Sequence, residues 1–351
     1  MLEAFHAKYL LRFNEPAVTS RGVMTVKECH YVLVRERGVP GRFGIGEVPL
    51  FPGLSAEDCP GHDARLDEAC ARVNDFRPEA WRAWSSICFG METALADLRN
   101  GGQRLPFPSA FTRGEQAIEI NGLVWMGNRE QMARRVDEKL AAGFRCLKLK
   151  IGGIDFEEER ALLREIRARY PAATLQLRLD ANGAFSPREA PRKLEQLAAY
   201  DIHSIEQPIR QGQWRAMCAV AVASPIPVAL DEELIGVTSR DERQALLDTI
   251  APRYIILKPS LAGGFQSCDE WIALAGERAI GWWVTSALES NVGLNAIAQW
   301  CAPRVGNLPQ GLGTGQLYAN NIPSPLLQCG VTLVHDPRGT WHLATLFPPL
   351  P

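Results

Sequence analysis

Residues 146–151 read CLKLKI and residues 177–182 read LRLDAN, and the fold is decided by the pattern that these two stretches share. Each alternates apolar with charged side chains, which is typical of a β-strand that presents one polar side. The charged amphipathic segment between them, residues 156–170, predicts a helix. A strand–helix–strand alternation with a period of roughly 25–30 residues predicts parallel β/α units.

The same unit repeats from about Ile118 to Tyr318. The sequence predicts strands that end near Met126, Lys150, Asp180, Glu206, Leu230, Lys258, Thr285 and Gly311. Eight such strands fit a barrel of the triosephosphate isomerase (TIM) type. A doubly wound sheet is the alternative, but no G-x-G-x-x-G motif follows the first strand.

The N-terminal part of the chain, up to about Pro108, has a different character. Residues 23–34 are rich in β-branched and aromatic side chains and precede a glycine-rich turn, which predicts an antiparallel hairpin. Residues 64–74 and 78–100 have apolar side chains at helical spacing. After Tyr318 no further β/α unit is recognisable, and we expect the tail to pack back on the first domain.

Composition excludes several functional classes. The net charge is -2, from 38 basic and 40 acidic residues, and no basic stripe indicates nucleic-acid binding. Nine cysteines, an odd number without a C-x-x-C pair, argue against a disulfide framework and a cysteine zinc site. No run approaches the ~18 apolar residues of a membrane span. The first residues lack the features of a signal peptide, so we expect a soluble cytoplasmic protein.

Charged residues close five consecutive predicted strands, where a barrel carries its catalytic groups. Three of them are carboxylates: Asp180, Glu206 and Asp231. A charge that directly follows an apolar strand is costly unless it has a partner. Carboxylate oxygens suit a hard cation, so this set predicts an Mg²⁺ site, with Mn²⁺ as the alternative metal.

The other strand-end charges are lysines. Lys148 and Lys150 share one side of the second strand, and Lys258 ends the sixth. Nearby positive charge and desolvation lower the pKa of a lysine towards neutrality, where it can act as a base. A metal between two lysines suits removal of a proton α to a carboxylate. A single charged residue at the end of a strand is more often a solvated side chain or a helix cap. Five charged residues at the ends of five consecutive strands favour a functional site.

This order of residues, K-x-K, Asp, Glu, Asp and Lys, resembles the enolase superfamily in its muconate-lactonizing subgroup, over nearly the whole chain. The resemblance implies an α/β fold, a modified TIM barrel of the (β/α)7β type with an N-terminal α+β capping domain. The implied domains are a cap at 1–110, the barrel at 111–320, and a C-terminal segment at 321–351 that packs back on the cap. It also implies Lys150 as catalytic base and Lys258 as its partner across the metal.

Longer stretches resemble the succinylbenzoate-forming dehydratases of that subgroup: LDANGAF at 179–185, HSIEQPI at 203–209, TSALESN at 285–291 and GLGTG at 311–315. The implied reaction belongs to the menaquinone route. In it, 2-succinyl-6-hydroxy-2,4-cyclohexadiene-1-carboxylate loses water by a syn elimination and gives 2-succinylbenzoate. The implied partner is therefore a small-molecule carboxylate substrate, and both a monomer and a homo-oligomer remain open.

The resemblance also directs attention to substrate contacts. The predicted contacts are Lys148, Arg178, Thr285, Ser286, Gly311 and Gly313, and, in the cap loop that closes over the substrate in this superfamily, Ser20 and Arg21. Glycines allow the close approach of backbone N–H groups to a ligand. The alternatives are ordinary rim turns for the 285–286 and 311–315 stretches, and an ion pair inside the barrel for Arg178, which is also predicted to orient Lys150.

Two other functions fit the same motifs. An N-acylamino acid racemase or a dipeptide epimerase shares the metal and lysine residues, but an epimerase that binds a free ammonium group needs acidic residues at the last strand. Residues 311–315 contain none. A non-catalytic small-molecule-binding barrel is the alternative from another class, and the presence of both Lys150 and Lys258 argues against it.

Overall fold

The N-terminal part is a three-stranded antiparallel sheet covered by helices, in a computed structural model that describes residues 1–19, 22–343 and 346. The strands, in the order β1-β2-β3, are β1 (Leu2–Thr19), β2 (Gly22–Glu36) and β3 (Phe43–Val48). The helices are α1 (His62–Ala71), α2 (Pro78–Trp81) and α3 (Ser85–Arg99). This is the predicted capping fold. Residues 23–34 lie in β2, which forms the predicted antiparallel hairpin with β3 across the glycine-rich turn and also pairs with the longer β1.

Helix α3 lies unusually close to β3. A Cβ atom placed on Gly44 or on Gly46 would come within 1.9 Å of a backbone carbonyl oxygen of α3. These two positions therefore require glycine, and they allow the helix to seal one face of the cap sheet. The apolar core between them includes Val34, Val48 and Met91.

The second part is a parallel sheet of seven strands with a helix after each. Its strands are β5 (Gly122–Val124), β6 (Cys146–Lys150), β7 (Gln176–Asp180), β8 (Ser204–Glu206), β9 (Val228–Leu230), β10 (Tyr254–Leu257) and β11 (Gly281–Val284). Its helices are α4 (Arg129–Ala141), α5 (Phe156–Arg169), α6 (Ala190–Ala198), α7 (Trp214–Ala223), α8 (Arg240–Ile250), α9 (Gly264–Gly276) and α10 (Asn291–Cys301). The strand order is β11-β10-β9-β8-β7-β6-β5, as consecutive parallel units require.

The eighth strand of the predicted barrel is reduced to residues 310–311. Gly311 forms a parallel bridge with Thr285 after β11, and Gln310 forms one with Ile120 before β5. This short seam connects the two edges of the seven-stranded sheet. The predicted modified TIM barrel is thereby confirmed, and its predicted first strand is shorter than expected, because β5 ends at Val124.

The C-terminal residues contact both parts of the molecule. A hairpin of β12 (Leu326–Cys329) and β13 (Thr332–His335) pairs antiparallel with β4 (Ile118–Glu119), beside the start of the barrel. Farther on, Leu343 and Leu346 lie in an apolar cluster with Leu11 of the cap. The domain boundaries at 110 and 320 stay a prediction. Within the described ranges, every helix falls short of the length and apolarity that crossing a bilayer requires.

Two carboxylates of the cap receive hydrogen bonds from the first turns of two barrel helices. Glu47 of β3 accepts from the backbone N–H groups of Ser290 and Gly293, each at 2.9 Å, at the start of α10. Glu92 of α3 accepts from the N–H groups of Phe265 at 2.6 Å and Gln266 at 3.1 Å, at the start of α9. Because the first N–H groups of a helix have no partner within it, the cap completes both helices.

Glu92 gives the folded protein a pH dependence. Burial raises the pKa of Glu92 to about 7, although its two backbone N–H donors oppose the rise. The folded protein then holds this proton more tightly than the unfolded chain does, so stability falls as the pH rises from about 4.5 to about 7. We expect the wild type to lose stability relative to Glu92→Gln across this range, measured by urea unfolding at several pH values.

The matched control for this experiment is Glu130→Gln, at an exposed glutamate in the first turn of α4. Its difference from the wild type should change little with pH over the same range. A constant stability difference between the wild type and Glu92→Gln would contradict a titrating Glu92.

Candidate active site

A cavity opens at the carboxyl ends of the barrel strands and is covered by Phe51 and Leu54 of the cap. Seven of the predicted site residues line it: Lys148, Lys150, Lys258, Thr285, Ser286, Gly311 and Gly313. The alternation of strand residues explains this placement. Leu147 and Leu149 are buried in the core around the barrel, so Lys148 and Lys150 point to its inside.

Three carboxylates lie side by side below this cavity. Asp180 and Glu206 are paired in register at the ends of β7 and β8, and Asp231 directly follows β9. All three are almost fully buried, with exposed fractions of 0%, 2% and 2%. The three acids therefore lie at the ends of neighbouring strands, and their joint role as metal ligands stays a prediction.

Lysine ammonium groups lie between these carboxylates. Lys148 Nζ is 2.9 Å from Asp180 Oδ2 and 2.6 Å from Glu206 Oε2. Lys150 Nζ is 3.0 Å from Asp180 Oδ2, and Lys258 contacts Asp231. Among the residues that the structure describes, no three acidic, histidine or cysteine side chains stand together as a metal cluster. Lys148 fills the space that separates Asp180 from Glu206.

The buried charges shift one another's proton affinities. Burial and the neighbouring Asp180 raise the pKa of Glu206 well above its usual value, although Lys148 opposes the rise. Burial also disfavours ionised Asp180, but the ammonium groups of Lys148 and Lys150 outweigh it and lower the pKa of that carboxyl. Ionised Glu206 is therefore costly in this environment, and any further positive charge beside it would lower that cost.

The residues that follow two of these acids orient the site. Asn182, at φ 44°, donates its N–H to Asp180 Oδ1 at 3.0 Å and accepts from Lys150 Nζ at 2.7 Å through Oδ1. Its Nδ2 donates to Glu232 at 3.0 Å. Gln207, at φ 40°, accepts from the N–H of Asp231 at 3.2 Å. A left-handed backbone conformation is energetically unfavourable for residues other than glycine. The hydrogen bonds of Asn182 and Gln207 within the site therefore stabilise both turns.

Arg178 does not lie at the cavity, and its predicted roles are not supported. It is two residues before Asp180 on β7, so its side chain lies one layer deeper in the barrel. Its Nη1 donates to the carbonyl oxygen of Pro309 at 2.8 Å, and its guanidinium stacks 4.2 Å from the ring centre of Trp283. It therefore neither orients Lys150 nor forms an ion pair with any described residue.

The predicted hydroxyl contacts already have partners within the protein. Ser286 Oγ donates to Glu289 at 2.6 Å and accepts from the N–H of Leu288 at 2.9 Å. Thr285 Oγ1 donates to the carbonyl oxygen of Ser286 at 3.2 Å. Gly311 is required beside them, because a Cβ there would come 2.7 Å from Thr285 Cβ. Ser20 and Arg21 lie outside the described residues.

Sequence reasoning missed several side chains that line the cavity, among them Phe51 and Leu54 of the cap and Asn121, Leu123, Trp125 and Thr314 of the barrel. Asn121, Leu123 and Trp125 alternate along the chain at β5, and this period of two was the signal that could have identified them. The ring centre of Trp125 lies 5.9 Å from Lys150 Nζ. Thr314 follows the seam and had no such pattern.

Known proteins with the same fold and sequence pattern were found by comparison. Residues 131–314 match the family described as enolase C-terminal domain-like. An o-succinylbenzoate synthase from Desulfotalea psychrophila is 46% identical, over 93% of this chain and 96% of that protein. An L-Ala-D/L-Glu epimerase from Bacillus subtilis is 31% identical, over 80% of this chain and 79% of its own length.

Solved structures agree with these sequence matches. The crystal structure of MenC from Desulfotalea psychrophila has a TM-score of 0.83 at 44% identity, and the match covers 95% of this chain and 99% of that one. A dipeptide epimerase from Enterococcus faecalis, complexed with Mg and L-Leu-L-Tyr, has a TM-score of 0.80 at 18% identity, with 95% and 96% covered. At that identity the second match shows the fold alone.

The ammonium group of Lys148 compensates two buried carboxylates, and its removal should be costly. We expect Lys148→Met to lower the free energy of unfolding by about 3–5 kcal/mol in metal-free buffer with EDTA, because Asp180 and Glu206 lose their shared partner. The measurement is urea unfolding at pH 8. Lys8→Met is the control, since Lys8 forms exposed pairs with Glu28 and Asp63 that solvent screens. Equal stability of the two variants would contradict this role of Lys148.

Proposed function

The chain belongs to the enolase C-terminal domain-like family, and from that membership we propose that it acts as an o-succinylbenzoate synthase. The resemblance to the enolase superfamily, which the sequence motifs indicated, is confirmed. The substrate is 2-succinyl-6-hydroxy-2,4-cyclohexadiene-1-carboxylate, which loses water to form 2-succinylbenzoate in menaquinone biosynthesis. The observation that carries this function is the row of three buried acids with lysines facing one cavity, in a chain 46% identical to a synthase.

Asp180, Glu206 and Asp231 are the residues that would hold Mg²⁺, with Mn²⁺ as the alternative. The donor set supports this assignment, because three carboxylate groups are the ligands that a hard cation prefers. The raised pKa of Glu206 supports it as well, since a cation would compensate the negative charge there. When bound, the cation supplies a Lewis acid for the substrate carboxylate and for the negative charge that develops as the α-proton leaves.

Lys150 is the proposed acid and base. In its neutral form, Nζ takes the proton from the ring carbon that bears the carboxylate, and the electron pair of the broken C–H bond delocalises into that carboxylate. The resulting ammonium then gives its proton to the hydroxyl group on C6, whose C–O bond breaks with release of water. Contacts with Asp180 and Asn182 hold Nζ in place for both transfers. The ring becomes aromatic, and Lys150 returns to its neutral form.

Lys258 is the proposed electrostatic partner. Burial disfavours its ammonium form, but the adjacent Asp231 outweighs that effect, so the pKa of Lys258 is raised. It therefore stays cationic while negative charge grows on the substrate carboxylate. A positive charge held at a fixed position stabilises such a transition state without reorganisation.

Racemisation of an N-acylamino acid is the second candidate function. It is favoured by the presence of two lysines, Lys150 and Lys258, on different strands of one cavity, where one could remove a proton and the other return it. Epimerisation of a dipeptide with a free ammonium group is less well supported. Gly311, Gly313 and Thr314 line the seam side of the cavity, and residues 311–315 contain no acidic side chain to bind that ammonium.

The first test is turnover of the cyclohexadiene, followed by its ultraviolet absorbance. We expect conversion in Mg²⁺-containing buffer, loss of conversion in EDTA, and recovery when Mg²⁺ is returned. Activity that persists in EDTA would exclude a metal role for the three acids. Absence of conversion in every condition would leave a binding protein without catalysis as the better description.

Lys150→Ala tests the proposed base. We expect kcat to fall by at least about 10²–10⁴-fold, since that is what general acid–base catalysis contributes, while the thermal unfolding temperature stays close to that of the wild type. Lys8→Ala, at an exposed lysine of β1, should keep full activity. Substantial turnover by Lys150→Ala would exclude this residue as the base.

A further inference from the structure

On one side of the cavity, two polar side chains each have a buried oxygen without a hydrogen-bond partner among the described residues. These oxygens are Asn121 Oδ1 and Thr314 Oγ1. Both residues are more than nine-tenths buried, with exposed fractions of 5% and 4%. A buried polar atom without a partner costs about 1–3 kcal/mol, so such atoms are rare unless something else binds them.

Both residues lie at the seam of the barrel. The N–H of Asn121 donates to the carbonyl oxygen of Gln310 at 2.9 Å, which places Asn121 beside Gly311. Thr314 follows Gly313 on the same seam segment, and all four of Asn121, Gly311, Gly313 and Thr314 line the cavity. In the strand order, β7, β8 and β9 lie in the middle of the sheet, and the seam joins its two edges. The seam therefore faces the three acids across the cavity.

This position matches the second polar group of the substrate. The ring carboxylate belongs with the acids and Lys150, so the succinyl arm extends away from them. The hydroxyl groups of Thr285 and Ser286, which the sequence favoured for this arm, already donate to Ser286 and Glu289. On the seam side of the cavity, the side-chain donors that remain uncommitted among the described residues are the amide of Asn121 and the hydroxyl of Thr314. The indole N–H of Trp125 is also uncommitted, but its ring centre lies 5.9 Å from Lys150 Nζ.

We propose that Asn121 and Thr314 form a subsite that binds the terminal carboxylate of the succinyl arm. Because neither end of the Asn121 amide is hydrogen-bonded among the described residues, the amide is free to turn by 180° about its Cβ–Cγ bond and to present Nδ2 where Oδ1 lies. Nδ2 of Asn121 and Oγ1 of Thr314 then donate hydrogen bonds to the oxygens of the carboxylate. Gly311 and Gly313 carry no side chains that would take up the space between the two residues. The proposal rests on the proposed function and specifies which residues select its substrate.

The test compares two ligands that differ only in that carboxylate. 2-Succinylbenzoate carries it, and 2-butyrylbenzoate has the same ketone arm with a methyl group at its end. We expect the Mg²⁺-loaded wild type to bind the succinyl compound more tightly. In Asn121→Leu and in Thr314→Val, affinity for the succinyl compound should fall by about 10- to 100-fold, the value of a hydrogen bond to a charged group, while affinity for the butyryl compound stays unchanged.

Gln176→Leu is the matched control. Gln176 begins β7, at the opposite end of the strand from Asp180, and its Nε2 also has no partner among the described residues. This variant should keep the wild-type preference between the two ligands. Equal weakening of both ligands by Asn121→Leu and Thr314→Val, or weakening of neither, would overturn the subsite.

Stability separates this role from a structural one. Because neither side chain is hydrogen-bonded within the described protein, Asn121→Leu and Thr314→Val should unfold at the wild-type temperature or above it. A lower unfolding temperature together with equal loss of both ligands would assign them a structural role instead. If Asn121→Leu does not fold, the near-isosteric Thr314→Val decides the question alone.

The failure of the subsite and the failure of the proposed function give different results. A wild type that neither converts the cyclohexadiene nor binds 2-succinylbenzoate would refute the function itself. A wild type that does both, with variants that keep its ligand preference, would refute only the subsite. Equal affinity of the wild type for the two ligands would refute it as well.

Discussion

The structure depends on the compensation of three carboxylates that are buried side by side. Asp180, Glu206 and Asp231 lie at the ends of neighbouring strands, where parallel pairing forces their side chains together. Each buried negative charge would be prohibitive alone. Lysines from β6 and from the end of β10 reduce that cost, and the pKa of Glu206 stays raised because burial and the neighbouring Asp180 outweigh Lys148. This cost of burying negative charge lowers the stability of the fold, and it also favours the binding of a cation between the three carboxylates.

The described residues of the cap contribute to the site without placing a charged group in the lining of the cavity. Lys27 of β2 is fully buried and donates to the carbonyl oxygens of Ala287 at 2.7 Å and Leu288 at 2.8 Å. Tyr318 donates to the same Leu288 oxygen at 2.7 Å, and Leu288 itself is held at φ 63° beside the cavity. Together with Glu47 and the start of α10, these contacts fix a cavity loop from the cap side. The position of the cap and the shape of the cavity are therefore linked.

The sequence was sufficient to predict the parts of the site that repeat. An apolar strand that ends in a charge recurs in register, so the fold and the meeting of the acids and lysines followed from the pattern. The hydrogen-bond partners of Arg178 and Ser286 could not be predicted, because a residue type does not reveal which neighbouring groups it will bind. Arg178 is bound by Pro309 and Trp283, and Ser286 by Glu289, all distant in sequence or outside any strand pattern. Asn121 was missed because an asparagine before a glycine resembles a turn.

The reduced eighth strand divides the barrel into two regions with different freedom to change. On the acid side, seven regular strands lock every residue into register, so a substitution there disturbs several neighbours at once. At residues 310–314 two bridges hold the backbone, and Gly311, Gly313 and Thr314 line the cavity. A lineage could therefore exchange residues at the seam and acquire a different substrate while the proton-transfer machinery opposite is inherited intact. That asymmetry offers a structural reason why one scaffold supports dehydratases and epimerases alike.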